Sequence, residues 1–198
     1  MTIETLLPVV LFALVATVSP GGATTLATAS GAHFGFGRSI PLVMGISAAL
    51  SSMAAGAAFG LGGLLLAAPP LQLAMKSAGL LYLLWLAVKI GASNAPRLNR
   101  EIAAPTGFLG GAWMLWYNPK AWAMTTSAAA SFAATTHSSV ALAVFLGSAF
   151  GIAAMLSLSL WCMAGQWLGR ALKTDWQWRT INFILAGLLV ISVIPMWK

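Results

Sequence analysis

Residues 5–37 read TLLPVVLFALVATVSPGGATTLATASGAHFGFG and contain no Asp, Glu, Lys or Arg. A helix crosses the hydrocarbon core of a bilayer with about 20 apolar residues, so this run is long enough to span a membrane. It is interrupted at Ser19-Pro20-Gly21-Gly22, where proline removes a backbone donor and glycine loosens the chain. The sequence therefore predicts a membrane segment that is broken near its middle.

The other half of the chain carries a similar interruption, Asn118-Pro119-Lys120, between two further charge-free runs. In lipid, a backbone polar group without a partner costs several kcal/mol, so irregular backbone persists only where it is buried in protein or lines a polar cavity. Broken helices at corresponding positions of two halves are typical of the substrate site of a transporter.

The overall composition excludes an ordinary soluble domain, because 60% of the residues are hydrophobic and only 7% are charged. The net charge of +7 comes from basic residues scattered over the ends of apolar runs. Membrane topology explains that scatter better than a nucleic-acid partner, so we expect the lipid bilayer, and no nucleic acid, as the surroundings.

Six candidate spans follow when the apolar runs are split at polar and turn-forming clusters, and none shows the alternation of an outer-membrane strand. They cover approximately residues 3–29, 39–67, 71–90, 106–131, 140–168 and 181–196. We expect an all-α, six-helix transmembrane bundle that forms one domain over residues 1–198. The polar connection at 93–105 divides it into repeats of about 1–92 and 105–198, and three spans in each make the second repeat inverted.

Basic residues predict the orientation, because Lys and Arg near span ends stay in the cytoplasm. One side of the predicted bundle receives Arg38, Lys89, Arg97, Arg100, Arg170, Lys173 and Arg179, and the other receives only Lys76 and Lys198. We therefore expect a multi-pass protein of the bacterial inner membrane with both termini in the periplasm. A re-entrant first segment would move only the N-terminus, and the sequence leaves homo-oligomerisation open.

Enzymatic chemistry finds little support in these residues. The three acidic residues, Glu4, Glu101 and Asp175, lie in loops or at span ends, so the bundle interior lacks paired carboxylates. Cys162 is the single cysteine, and we interpret His33 as an ordinary loop residue. No phosphate-binding glycine loop with its lysine occurs, so no enzyme, metal or other cofactor is expected.

The first break supplies one set of candidate substrate-binding residues. Pro20 frees carbonyl groups of the preceding turn, while Ser19, Gly21 and Gly22 allow close approach of a solute. Hydroxyl groups follow at Thr24 and Thr25, and these either face the cavity or bond back to their own helix.

The second break supplies Asn118, Pro119 and Lys120. An embedded cation costs at least about 2.5 kcal/mol on insertion scales, so it usually faces the bundle interior and has a partner. Because the interior lacks carboxylates, we expect that partner to be the carboxylate of a substrate, helped by the positive end of the helix that begins near Pro119. Alternatively, Lys120 extends to the membrane interface beside Trp116 and Trp122.

Several short motifs in order resemble the LysE/RhtB family of amino-acid exporters. They are Ser19-Pro20-Gly21 with Leu26, then Gly35-Phe36-Gly37-Arg38 with Gly45, then the run from Lys76 to Leu86, and finally Asn118-Pro119-Lys120-Ala121. The resemblance covers nearly the whole chain. One departure is Gly22, where the family usually has a second proline.

This resemblance implies a secondary-active exporter of amino acids or close derivatives, powered by an ion gradient, with both proline motifs at its centre. The lack of interior Asp or Glu favours a small neutral amino acid as the substrate. Two alternatives from other classes stay open. One is an ion-conducting channel, in which carbonyls and hydroxyls coordinate a cation that Lys120 would repel, and the other is a non-transporting membrane partner subunit.

Overall fold

The computed structural model describes residues 3–60, 68–92, 106–133 and 138–191. Within these ranges, every long regular element is an α-helix, which confirms the predicted all-α class for this part of the chain. The helices are α1 (Ile3–Val18), α2 (Gly22–Phe34), α3 (Phe36–Ala58), α4 (Pro69–Gly91), α5 (Phe108–Trp116), α6 (Pro119–Phe132), α7 (Ser139–Ala171) and α8 (Asp175–Ile191).

Two of the described helices, α3 and α7, are long and apolar enough to cross a membrane by themselves. The segments Leu6–Val18 and Gly22–Phe34 pass the same test only as a pair, and they are bent by 59° where they meet. By length and composition, the described residues therefore supply two spans, or three when the bent pair counts as one. The six-span bundle of inverted repeats remains a prediction.

Several boundaries differ from the predicted ones. The connection expected between the spans 3–29 and 39–67 is shorter than predicted, because α2 continues to Phe34 and α3 starts at Phe36. Gly35 alone joins them, at a φ of +80° that favours glycine. The last helix starts at Asp175 instead of near Ile181. The connection at 93–105 lies outside the described residues.

Glycines allow the central helices to touch backbone to backbone. A Cβ added to Gly31 of α2 would lie 1.9 Å from the carbonyl oxygen of Cys162 in α7, and one on Gly165 would lie 2.0 Å from that of Thr28. Helices α3 and α5 approach equally closely at Gly45. Small residues at such positions are typical of helix packing in membranes, and here they bring α2 against α7.

Helices of the first half of the chain pack on helices of the second half. The long helices α3 and α7 pack on each other, and so do α4 and α8. Helices α1 and α2 pack on α7 of the second half, while α5 and α6 pack on α3 of the first half. Each broken pair thus packs on the long helix of the other half of the chain.

Candidate functional site

The first break lies between α1, which ends at Val18, and α2, which begins at Gly22. Pro20 has no N–H, so it cannot donate to the carbonyl of Ala16 one turn earlier. The Ser19 hydroxyl donates to that carbonyl instead, at 2.9 Å. A side chain of the break thus replaces the hydrogen bond that proline removes.

Helix α7 satisfies the next two carbonyls of this break. The Ser157 hydroxyl donates to the carbonyl of Thr17 at 2.9 Å, and Nε1 of Trp161 donates to the carbonyl of Val18 at 3.2 Å. Ser157 and Trp161 are four residues apart, so they lie on one face of α7. The end of α1 is therefore held by the helix that it packs against.

Threonines cap the helix that follows. The backbone N–H of Gly21 donates to Oγ1 of Thr24 at 2.8 Å, and that hydroxyl donates to the carbonyl of Gly21 at 2.9 Å. The Thr28 hydroxyl donates to the carbonyl of Thr24 at 2.9 Å. The Thr24 hydroxyl therefore bonds back to its own helix, and Thr25 is buried beside it.

The second break is stabilised by its own residues. Helix α5 ends at Trp116 and α6 begins at Pro119. Asn118 is the N-cap of α6, because its Oδ1 accepts a hydrogen bond from the backbone N–H of Lys120 at 3.0 Å. Nε1 of Trp122 donates to the carbonyl of Trp116 at 2.8 Å. Each of these bonds joins residues that are close in sequence.

The side chain of Lys120 joins the two breaks. Its Nζ lies 2.9 Å from Oγ of Ser19, 3.2 Å from the carbonyl oxygen of Pro20 and 3.4 Å from the carbonyl oxygen of Ser19. Gly21 leaves room for it, since a Cβ there would lie 3.2 Å from Nζ. The ammonium thus contacts the carbonyls that the first break frees, and these are neutral partners.

A cavity of about 40 Å³ lies between the breaks, which is room for a few water molecules. Six of the predicted site residues line it, namely Ser19, Gly21, Gly22, Thr24, Asn118 and Lys120. Three others, Pro20, Thr25 and Pro119, are not part of its lining, although the Pro20 carbonyl contacts Lys120. Within the part of the chain that the structure describes, Lys120 is the one charged residue that lines this cavity.

The sequence did not identify the remaining walls of the cavity. They are apolar or weakly polar and come from α1, α2, α3, α5, α6 and α7: Ala16, Thr17, Ala23, Ile46, Leu50, Leu115, Ala121, Met124, Ala154 and Leu158. It also missed Ser157 and Trp161 as supports of the first break. Their spacing shows a shared face, but nothing in the sequence says which element that face contacts.

A second polar group of residues lies where α2, α3, α7 and α8 meet, away from the cavity lining. Nε2 of His33 lies 3.2 Å from Oδ1 of the buried Asn182, and its ring packs on Trp178. The hydroxyls of Ser30 and Ser39 are 2.7 Å apart. The expectation that His33 is a loop residue is wrong, because it lies in the last turn of α2.

Neither the cavity nor the polar group offers a metal site in the part of the chain that the structure describes, where no three His, Cys, Asp or Glu side chains cluster.

Comparison with known proteins identifies the family of the chain. No curated protein and no solved structure matches the chain significantly. The family model of the LysE type translocator matches residues 14–193. The chain therefore belongs to the LysE type translocator family, a family of multi-pass membrane transporters.

Proposed function

We propose that the protein is a secondary-active exporter of small neutral amino acids, or close derivatives, across the bacterial inner membrane. The observation that carries this proposal is the contact between Lys120 and the first break inside a cavity between the two halves. Family membership supports transport as such, and the geometry of this site supports the class of substrate.

The site offers partners for both charges of a zwitterion. The carbonyls of Ser19 and Pro20 are acceptors for an ammonium group, and they already hold one from Lys120. Lys120 is a cation for a carboxylate, next to the positive N-terminal end of α6. A molecule with an ammonium and a carboxylate on neighbouring atoms therefore complements the two breaks together.

The walls around these groups support a small, neutral side chain. Ile46, Leu50, Met124 and Leu158 surround the polar centre, and among the described residues no carboxylate lines the cavity to bind a second cationic group. Apolar walls with few polar groups are typical of sites for small molecules.

The packing of the two halves supports alternating access as the mechanism. Each half contributes a broken pair, a long helix and a further helix, and nearly every packed pair has a counterpart when the halves are exchanged. Such a relation is expected of inverted repeats over residues 1–92 and 105–198, in which one repeat rocks against the other around a central site. The ion gradient that drives export and the periplasmic termini belong to the same proposal.

An efflux measurement tests the proposed function. Cells are loaded with each common amino acid as a dipeptide, and release into the medium is compared with and without the protein. We expect faster release of one or a few small neutral amino acids. The variant Lys120→Gln, which keeps a polar side chain but removes the charge, is the matched control and should insert normally without exporting. Equal release of every amino acid with and without the protein would refute export.

Two proline variants test the alternatives. We expect Pro20→Ala and Pro119→Ala each to abolish export, because an N–H at either position rebuilds the helix across the break. A non-transporting partner subunit predicts no effect on amino-acid release in either variant. A channel predicts ion current through the wild-type protein in planar bilayers, and measured current without amino-acid release would favour it over the exporter.

A further inference from the structure

The ammonium of Lys120 is fully engaged in the structure. It has three N–H donors, and three acceptors lie within 3.4 Å of Nζ: one hydroxyl and two carbonyls of Ser19 and Pro20. These acceptors are neutral, so nothing in the site prefers the lysine to any other ammonium group. The position that a substrate ammonium needs is therefore occupied by a side chain of the protein.

Of the side chains from other helices that donate to the carbonyls of the first break, Lys120 can move away most easily. The other donors, Ser157 and Trp161, are short or rigid side chains on α7, whereas lysine carries its ammonium on a flexible four-carbon stem. The stem lies against Gly21, where no Cβ obstructs it. Nζ can thus move away from the carbonyls while the backbone of both breaks stays in place.

We propose that Lys120 is a built-in competitor that makes the site selective for zwitterions, an inference that rests on the proposed function. A substrate ammonium takes the carbonyls of Ser19 and Pro20, and the displaced Lys120 pairs with the carboxylate of the same molecule. The exchange is therefore one ammonium for another at the carbonyls, followed by a new ion pair.

The competition excludes molecules that carry only one of the two charges. An amine without a carboxylate displaces Lys120 but leaves the lysine charge unpaired beside it, and two unit charges 4 Å apart repel by about 1–4 kcal/mol. A carboxylate without an ammonium draws Lys120 away and leaves the carbonyls without a donor. A zwitterion satisfies both groups, so selectivity arises from the exchange itself.

Three minimal probes test this inference without knowledge of the natural substrate: methylammonium chloride, sodium acetate and glycine. Purified wild-type protein, Lys120→Met and the control Lys173→Met, which changes an exposed lysine, are heated with equal concentrations of each probe at matched ionic strength. Stabilisation reports the affinity for the folded state. We expect the wild type and the control to be stabilised by glycine and not by either single-charge probe.

Lys120→Met should gain affinity for methylammonium by about tenfold or more, because the carbonyls are then free of the lysine ammonium. Equal methylammonium affinity in folded Lys120→Met and wild type would overturn the inference. If Lys120→Met does not fold, Lys120→Gln replaces it, since its neutral amide still donates to one carbonyl but holds it less strongly than an ammonium. A gain in Lys120→Gln supports the exchange, and no gain overturns it.

The outcome for the inference is separable from the outcome for the proposed function. If the Lys120 variants gain methylammonium affinity but the wild type releases no amino acid, the exchange is supported and the proposal of amino-acid export is refuted. Amino-acid release by the wild type, together with unchanged methylammonium affinity in the variants, supports export and overturns the exchange.

Discussion

The two helix breaks differ in the source of their hydrogen bonds. At the first break, Ser157 and Trp161 of α7 and Lys120 of α6 donate to the exposed carbonyls, so most of the partners are distant in sequence. At the second break, Asn118 caps the helix and Trp122 donates to Trp116, so the partners are local.

This difference assigns distinct tasks to the two breaks. Local bonds do not depend on how the halves are arranged, so the second break keeps its shape when the halves move. In the proposed alternating access, separation of the halves would break the distant bonds and make their acceptors available to a solute. In that proposal, the second break holds the backbone that carries Lys120, while the carbonyls of the first break exchange partners.

The largest expected effect comes from separating the helices that support the first break. In Gly165→Ala, the new Cβ would lie 2.0 Å from the carbonyl oxygen of Thr28, so α2 and α7 must move apart. Overpacking of this kind costs about 1–3 kcal/mol, and we expect a cost near the upper end of this range because the contact is with backbone atoms. Thermal unfolding in detergent measures it, and export should be lost as well.

The matched control is Gly187→Ala in α8, where a Cβ meets nothing within 4 Å. Both variants gain the same helix propensity, about 1 kcal/mol, so their difference isolates the packing. If both variants unfold at the same temperature, the close contact between α2 and α7 does not stabilise the first break.

A smaller effect is expected from one distant donor. Ser157→Ala leaves the buried carbonyl of Thr17 without its partner, which costs about 1–3 kcal/mol, partly offset because alanine favours the helix. The exposed Ser148, which bonds only to its own helix, is the control, and Ser148→Ala should change stability by less than about 0.5 kcal/mol. Thermal unfolding is measured for both variants, and equal melting temperatures would mean that Ser157 does not stabilise the first break.

The sequence predicted the local features of this molecule, but it did not predict which helices contact each other. Pro20 lies between α1 and α2, and Pro119 is the first residue of α6, so both prolines mark the helix breaks, because the lack of an N–H acts within one turn. The partners of the exposed carbonyls depend on which helix packs alongside, and neither Ser157 nor Trp161 differs in type from other residues of α7. Likewise, the helix of His33 extends past the predicted end, because packing of Gly31 on α7 outweighs the low helix propensity of glycine.

Replacing the N-cap residue Asn118 tests the local support of the second break. Asn118→Ala should cost about 1 kcal/mol of stability, the usual value for a helix cap, and Ser138→Ala at the N-cap of α7 should cost about the same. Only Asn118→Ala should also slow export, because this cap fixes the backbone that carries Lys120. Melting temperature and amino-acid release are measured for both, and equal export in the two variants would mean that the cap does not position the lysine.

The smallest expected effect comes from Gly21→Ala. Gly21 has an extended backbone, with φ of −177°, that any residue adopts, so alanine causes no backbone strain. Gly21 is also the N-cap of α2, where glycine is favoured over alanine, and this loss offsets the gain of up to about 1 kcal/mol that comes from a less flexible unfolded chain. Its Cβ would lie 3.2 Å from Nζ of Lys120, so the ammonium must shift by a few tenths of an ångström. We expect the concentration for half-maximal export to change by about threefold while the melting temperature changes little. A loss of export with a fall in stability would mean that Gly21 is needed for packing at the break. A change in export without a fall in stability would mean that Gly21 acts by leaving room for the Lys120 ammonium.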